Sequence, residues 1–342
     1  MRETDVSIIP KTLKKMKVLA TSLILGLSFI LADLTCLCYG ALQVGFYRGK
    51  CGIADVEAIV AGVVTGRFIR DPAIVASLLR LQFHDCFVNG CDASILIDGT
   101  NSEKTATLNL NVRGYDIIDE AKAAVDNACP GLVSCADIIV IASRDAVFLS
   151  GGGRYEVQTG RRDGSVSLAR NVNLPVPSMS VSEAIVAFAQ KGLTAADMIL
   201  LLGSHSVGVA HCSFFKDRLY NFRNTGRPDP TMDASLAKTL RITCPQDETL
   251  NNTVNLDQFP LDPFLLDNSY YKQLVLHRGI LQIDQELALD PKTKAMVTTL
   301  ANGFDFPARF GVAMVKLGAI GVLTGGQGEI RTSCRAINVH PT

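Results

Sequence analysis

The sequence predicts an all-α protein with very little β-structure, built from two helical lobes. Ten segments carry apolar residues at spacings of three and four, the repeat of a helix with one buried face. No long run alternates at period two, so any sheet should be small. The proline-rich stretch 173–178 divides the chain, and we expect one lobe over about residues 41–175 and the other over about 176–342. A cleft between two lobes is a common place for a cofactor.

The helices follow from this spacing and from residues that begin helices. Before the proline-rich stretch the predicted helices are Asp55–Arg70, Ala73–Asp85, Tyr115–Ala128 and Ser134–Leu149. After it they are Val181–Gln190, Ala195–Leu202, Ala234–Ile242, Asn268–Leu276, Lys292–Asn302 and Pro307–Leu317. The dipeptide Asp71-Pro72 should open the second helix. Ser180 and Thr194 are predicted N-caps, because their side-chain oxygens can accept hydrogen bonds from free backbone amides.

The first 40 residues predict an export signal. A lysine-rich segment precedes the uncharged stretch Val18–Leu31, which is too short for a membrane span of ~20 residues. We expect cleavage near Gly40, with Met16 as an alternative start and a retained signal anchor as the other interpretation. Residues 1–40 carry five of the 33 basic and three of the 33 acidic side chains, which leaves 28 and 30. A net charge near −2 offers no basic surface for nucleic acid.

The cysteines support export to an oxidising compartment. Two of the ten cysteines lie within residues 1–40, and eight are spread over the rest of the chain. An even number in an exported chain predicts four disulfides, with 105 possible pairings. They do not form C-x-x-C pairs, which disfavours a zinc module. The sequon at Asn251 is a predicted glycosylation site.

The segment Arg80–Phe87 carries the first group with evident chemistry. Arg80 and His84 are four residues apart, so on a helix they share one face. The arginine would lower the pKa of the histidine and keep it neutral, so that it could act as a base. An ordinary surface pair is the alternative. The following loop supplies hard oxygen donors from Asp85, Asp92 and Ser94, together with free carbonyls, and this donor set suits calcium better than a plain polar turn.

A second candidate site is Gly203–Gly208, directly after an apolar helix. Around Ser206 it nearly matches the G-x-S-x-G motif of serine hydrolases, but the first glycine position holds Ser204 and no strand precedes it. Around His205 it suggests a metal or haem ligand at a helix end, with a buried structural histidine as the alternative.

Together these segments resemble the secreted plant haem peroxidases (class III). The resemblance runs from about Phe46 to Cys334 and rests on Arg80–Ser94, on Met198–Gly208 and on further matching segments. Those segments are Val133–Asp137, Gly160–Asp163, Asp217–Phe222 and Ser333–Arg335. It implies the two-lobed haem-peroxidase fold, with one heme b between a distal lobe (41–175) and a proximal lobe (176–342).

The resemblance also implies a site and a reaction. His205 would be the axial iron ligand, hydrogen-bonded to Asp284. His84 would move the peroxide proton, Arg80 would stabilise developing charge, Asn109 would hold the His84 tautomer, and Phe83 belongs to the same catalytic group. Hydrogen peroxide and small phenolic donors are the implied partners, with Pro175 at the donor entrance. A catalytically idle haem-fold module is the alternative, and a serine hydrolase is disfavoured.

Structural sites follow from the same resemblance. The first implied calcium site comprises Asp85, Val88, Gly90, Asp92 and Ser94. The second comprises Ser206, Asp257, Asp262, Leu265 and Asp267, in a segment with two added residues and Asp262 in place of the usual Thr. The implied disulfides are Cys51–Cys129, Cys86–Cys91, Cys135–Cys334 and Cys212–Cys244. We expect a monomer without stable membrane association, located in the extracellular space, cell wall or vacuole.

Overall fold

The predicted all-α architecture is confirmed by a computed structural model, which describes residues 41–247, 252–259 and 263–339. The first helices in these ranges are α1 Val56–Arg70, α2 Ile74–Val88, α3 Tyr115–Ala128, α4 Cys135–Leu149, α5 Val181–Gln190 and α6 Ala195–Leu202. The others are α7 Lys216–Tyr220, α8 Ala234–Thr243, α9 Ser269–Val275, α10 Gln282–Leu289, α11 Lys294–Asn302 and α12 Phe306–Leu317.

Strands are few and short in the described part of the chain. Two antiparallel pairs are present, β1 Gln43–Val44 with β2 Gln158–Thr159 and β3 Val209–His211 with β4 Thr253–Asn255. The second pair matters for the site, because Val209 lies opposite Asn255 and so holds the segment after His205 next to Asp257.

Side-chain caps fix several helix starts. Asp55 caps α1 by accepting from the backbone amides of Glu57 and Ala58. Ser180 and Thr194 begin α5 and α6 with complete capping boxes, as predicted. Each box satisfies two backbone amides that have no partner within the helix.

Three differences from the predicted helices have physical reasons. Helix α2 begins at Ile74 and continues to Val88, three residues past the predicted end at Asp85, so the His84 turn and the start of the oxygen-rich loop are one continuous helix. The sequence prediction missed α7, whose five residues are too few to show a helical repeat, and α10, in which the consecutive polar residues Asp284, Gln285 and Glu286 weaken the apolar spacing.

The core is formed by helices packed on one another. α1 packs against α3 and α4, and α2 packs against α4; α6 packs against α12, and α9 against α10 and α11. The chain from Leu42 onward forms one compact unit. The boundary between two lobes near residue 175 stays a prediction. The predicted signal segment 1–40 lies outside the described residues.

The described residues contain four disulfides, in the pairing that the resemblance implies. They are Cys51–Cys129, Cys86–Cys91, Cys135–Cys334 and Cys212–Cys244. Cys135–Cys334 ties α4 to the C-terminal segment, and Cys86–Cys91 closes the loop after α2. The two long links, of 78 and 199 residues, restrict the unfolded chain most.

Within the described ranges no single helix is long and apolar enough to cross a membrane. The pair Val181–Gln190 and Ala195–Ser206 meets that test only when both are counted together across a bend of 107°.

Candidate active site

A largely apolar cavity of about 260 Å³ brings the two predicted sites together. Helix α2 contributes Arg80, Phe83 and His84, and the turn after α6 contributes His205. The other lining residues are mostly apolar and include Pro175, Phe188, Phe214, Leu256 and Met314. Two histidines that are 121 positions apart in the sequence therefore face one apolar cavity. A surface Arg80–His84 pair, or a His205 that is only a structural core residue, would not require this arrangement.

The Arg80–His84 pair lies on one face of α2, as the four-residue spacing predicts. Arg80 Nε donates to His84 Nε2 across 3.2 Å, and Arg80 Nη2 donates to the Leu108 carbonyl across 3.2 Å. The second bond anchors the guanidinium to the segment before Asn109. The positive charge is therefore held beside the imidazole.

Asn109 fixes the orientation of the His84 ring. His84 Nδ1 lies 2.7 Å from Asn109 Oδ1, and Asn109 Nδ2 donates to the Glu103 carbonyl across 2.8 Å. Because the amide nitrogen is used by Glu103, the Asn109 oxygen faces His84 and can only accept. Nδ1 therefore carries the proton, and Nε2 has the lone pair that accepts from Arg80 Nε.

The electrostatics keep His84 neutral. Burial and, to a smaller extent, the neighbouring Arg80 charge together lower the pKa of His84 to about 4, although the Asn109 hydrogen bond acts in the opposite direction. Burial also lowers the pKa of Arg80. An imidazole in this state can accept a proton at neutral pH.

Phe83 packs beside this group. Its ring lies 4.5 Å from that of Phe87 and 6.1 Å from that of Phe188, measured between centroids, and it meets His84 edge to face. These aromatic rings give the cavity an apolar wall next to the base.

His205 lies in a short 3₁₀ turn, Gly203–Ser206, that follows α6 directly. Its Nδ1 lies 2.9 Å from Asp284 Oδ1, and Asp284 is in the first turn of α10, where the helix dipole stabilises an anion. Burial disfavours the charged imidazole, yet the charge and hydrogen bond of Asp284 raise the pKa of His205 above its usual value. Since Nδ1 is engaged, Nε2 is the ring nitrogen available to a metal.

Tyr270 is a third member of this group that sequence reasoning missed. Its hydroxyl donates to Asp284 Oδ1 across 2.8 Å, and its ring meets that of His205 at 85° with centroids 6.2 Å apart. The spacing of α9 predicts a helix here but carries no sign of a contact with α10.

The cavity fits a haem. A flat apolar cofactor needs an apolar lining, an axial nitrogen and polar groups confined to the reacting face. His205 with Asp284 supplies the nitrogen, and Arg80 with His84 supplies the polar groups. A hydrolase at Ser206 does not fit, because helix α6 precedes it where a strand would be required and its hydroxyl is fully buried.

The oxygen-rich loop after α2 has buried acceptors without hydrogen-bond partners in the described structure. Asp85 Oδ1 and Ser94 Oγ are both in this state, while Asp85 Oδ2 accepts from Ala93 and Asp92 Oδ1 from Ser94. Burial raises the pKa values of Asp85 and Asp92. Oxygens left this way fit a bound hard cation.

The two backbone carbonyls implied as calcium ligands in that loop each accept one hydrogen bond, which leaves a second lone pair on each oxygen. Val88 ends α2, and its carbonyl accepts from Lys191 Nζ across 3.0 Å, while the Gly90 carbonyl accepts from the Asp92 amide across 2.8 Å. Gly90 has φ +114°, and a side chain there would strike the Gly321 carbonyl, so only glycine fits.

The second oxygen-rich segment is only partly described. Ser206 Oγ is buried without a hydrogen-bond partner in the described ranges. The Ser269 hydroxyl lies within hydrogen-bonding distance of both Asp257 Oδ2 and Asp267 Oδ1, and its single hydrogen can be donated to only one of them at a time. Burial raises the pKa of Asp257. Leu265 is described in the same segment, whereas Asp262 lies outside the described residues, as does the sequon at Asn251.

No group of three or more His, Cys, Asp or Glu side chains in the described ranges is arranged to hold a metal. Each implied calcium set combines carboxylates with serine and backbone oxygens. Such sets do not require a cluster of three or more of these side chains.

A mainly helical fold with two histidines facing one apolar cavity is the arrangement expected of a haem peroxidase. The peroxidase family model matches residues 60–303. The chain is 51% identical to Peroxidase 60 of Arabidopsis thaliana, over 89% of this chain and 92% of that protein. It is 47% identical to Peroxidase 28 of Arabidopsis thaliana over 94% and 100%, and 43% identical to Peroxidase N1 of Nicotiana tabacum over 90% and 93%. The chain belongs to the plant haem peroxidases of the class III family.

Proposed function

We propose that this peroxidase holds one heme b through His205, reduces hydrogen peroxide and oxidises small phenolic donors in one-electron steps. The observation that carries the proposal is the shared cavity, where a neutral, oriented His84 beside Arg80 faces the same space as His205 with its Asp284 partner.

The chain's residues divide the proton chemistry among them. His84 Nε2, which accepts from Arg80 Nε in this structure, would exchange that hydrogen bond for one from hydrogen peroxide, take its proton and return it to the departing oxygen. Nδ1 cannot take this role because it is already protonated and held by Asn109. The Arg80 guanidinium stabilises the negative charge that develops as the O–O bond breaks. Phe83 and the other aromatic residues keep the wall beside the base apolar.

His205 and Asp284 prepare the other side of the reaction. Haem, when bound, supplies an iron that is oxidised by peroxide and then reduced by donors. His205 Nε2 would hold that iron, and the Asp284 carboxylate makes the imidazole more basic, which favours the oxidised iron.

Donors would enter along the rim of the cavity. Pro175 lines it beside Val176, and Phe214 and Val209 lie at the same opening with substantial exposed surface. Flat apolar rings with a polar hydroxyl suit such an opening.

Two calcium ions are proposed to brace the fold near the catalytic residues. The first would bind Asp85, Val88, Gly90, Asp92 and Ser94, and the second Ser206, Asp257, Asp262, Leu265 and Asp267. Asp85 follows His84 and Ser206 follows His205 directly, so each ion would fix the backbone of one histidine.

The biological setting proposed is outside the cell. A cleaved signal, four disulfides and glycosylation at Asn251 suit a monomer in the extracellular space, cell wall or vacuole, without stable membrane association. Phenolic coupling in the cell wall and a response to oxidative stress are the corresponding roles.

An absorption spectrum of the purified protein, combined with guaiacol oxidation, tests the proposal. The wild type should show a Soret band and oxidise guaiacol with peroxide, whereas His205→Leu should lose the axial ligand and most of both signals. His277→Asn, which removes a histidine outside the cavity, is the matched control. Absence of a Soret band in the wild type, or normal haem binding in His205→Leu, would contradict the proposal.

A further inference from the structure

The carboxylate that supports His205 has a second donor on the same oxygen atom. Asp284 Oδ1 accepts from His205 Nδ1 across 2.9 Å and from the Tyr270 hydroxyl across 2.8 Å. Tyr270 is 1% exposed and Asp284 is equally buried, so solvent does not compete for these bonds. One oxygen therefore shares its negative charge between an imidazole and a phenol.

We propose that Tyr270 is a positioning residue that reduces the negative charge transferred from Asp284 to His205 and thereby raises the reduction potential of the bound haem iron. This inference rests on the proposed role of His205 as the iron ligand. A phenol that donates to a carboxylate stabilises its charge, so the same carboxylate pulls less strongly on the imidazole proton. When haem is bound, His205 Nε2 would then donate less electron density to the iron.

The surroundings keep the phenol in this role. Burial raises the pKa of Tyr270 well above its usual value, and the neighbouring Asp284 charge raises it further, so the hydroxyl remains a donor. The ring is fixed edge to face against both His205 and Tyr271, with centroids 6.2 and 5.0 Å apart. Tyr270 thus cannot turn its hydroxyl elsewhere without disturbing two packed rings.

The adjacent tyrosine provides a matched control. Tyr271 is equally buried, but its hydroxyl donates to the Ile199 carbonyl across 2.9 Å and not to Asp284. Tyr270→Phe and Tyr271→Phe each remove one buried hydroxyl from neighbouring positions of α9 and keep the ring. Only Tyr270→Phe removes a hydrogen bond to the Asp284 carboxylate.

The experiment measures the ferric/ferrous midpoint potential of the haem-loaded protein and the ferrous iron–histidine stretching frequency by resonance Raman. Tyr270→Phe should lower the potential by about 59 mV, which corresponds to a tenfold change in a one-electron equilibrium. It should also raise the stretching frequency, while Tyr271→Phe should change neither. Thermal unfolding of both variants reports any purely structural cost.

A double-mutant cycle separates tuning from packing. In an Asp284→Asn background the charge is gone, so adding Tyr270→Phe should cause little further shift in the potential. Equal potentials and frequencies for Tyr270→Phe and wild type, or an undiminished shift in the Asp284→Asn background, would overturn the inference alone. A wild type without a Soret band would overturn the proposed function and this inference with it.

Discussion

Asn109 and His84 are joined by a 2.7 Å hydrogen bond whose direction is determined by the fold, because the Asn109 amide nitrogen is already donating to the Glu103 carbonyl. The carbonyl oxygen is left to face the imidazole, so the histidine can only be a donor at Nδ1 and an acceptor at Nε2. A single asparagine thereby selects the tautomer that can act as a base toward peroxide.

Asn109→Leu should slow the reaction with hydrogen peroxide about tenfold, since loss of one hydrogen bond that orients the base corresponds to roughly 1.4 kcal/mol of barrier. Stopped-flow measurement of the haem-loaded protein gives this rate constant. Asn302→Leu, at the exposed end of α11, is the control and should react like the wild type. An unchanged rate in Asn109→Leu would show that the tautomer does not depend on this bond.

The pH dependence should report the depressed pKa of His84. The reaction needs the neutral imidazole, so its rate constant should be level near neutral pH and fall as the pH drops through about 4. Arg80→Leu removes a nearby positive charge, so the inflection should move upward toward the ordinary pKa of histidine. An inflection near pH 6.5 in the wild type would contradict the buried environment described for His84.

Calcium removal should reduce activity through the loop that follows His84. EDTA with mild denaturant should release calcium and slow guaiacol oxidation, and added calcium should restore it. Asp85→Asn should lose one calcium ion relative to the wild type, whereas Asp305→Asn, on the surface, should lose none. Metal analysis that finds no calcium in the wild type would refute this site.

The buried pair Asp137–Arg161 should contribute strongly to stability. Asp137 accepts from Arg161 Nη1 across 2.8 Å, from the Gly160 amide across 2.7 Å and from the Tyr47 hydroxyl across 2.6 Å. Asp137→Ala would leave a buried guanidinium without its charge partner, and we expect a loss of about 3–5 kcal/mol in the free energy of unfolding. Urea denaturation measures it, with the exposed Asp305→Ala as control; a loss below about 1 kcal/mol would contradict this.

Much of the fold and site follows from local sequence patterns. Helical spacing places Arg80 and His84 on one face, and the capping residues Ser180 and Thr194 begin their helices as predicted. The polar residue Asp85 suggests that α2 ends there, so the sequence does not predict its extension to Val88. The burial of Phe87 and the Cys86–Cys91 disulfide stabilise these last helical residues.

Other contacts depend on how the helices pack together and cannot be predicted from local patterns in a single sequence. Tyr270 reaches Asp284 only because α9 and α10 pack together, and Lys191 reaches the Val88 carbonyl across 103 positions of chain. Neither spacing nor composition encodes such a contact. The resemblance named the His205–Asp284 partnership but did not indicate that a phenol shares the carboxylate.

The reaction of the haem-loaded His84→Leu variant with hydrogen peroxide tests the central claim most directly. Stopped-flow absorbance should show a rate constant lower than that of the wild type by roughly 10²–10⁴, the usual contribution of a positioned general base. His277→Asn should keep the wild-type rate, and both variants should retain the Soret band because His205 is intact. A His84→Leu protein that binds haem and reacts with peroxide at the wild-type rate would contradict the account.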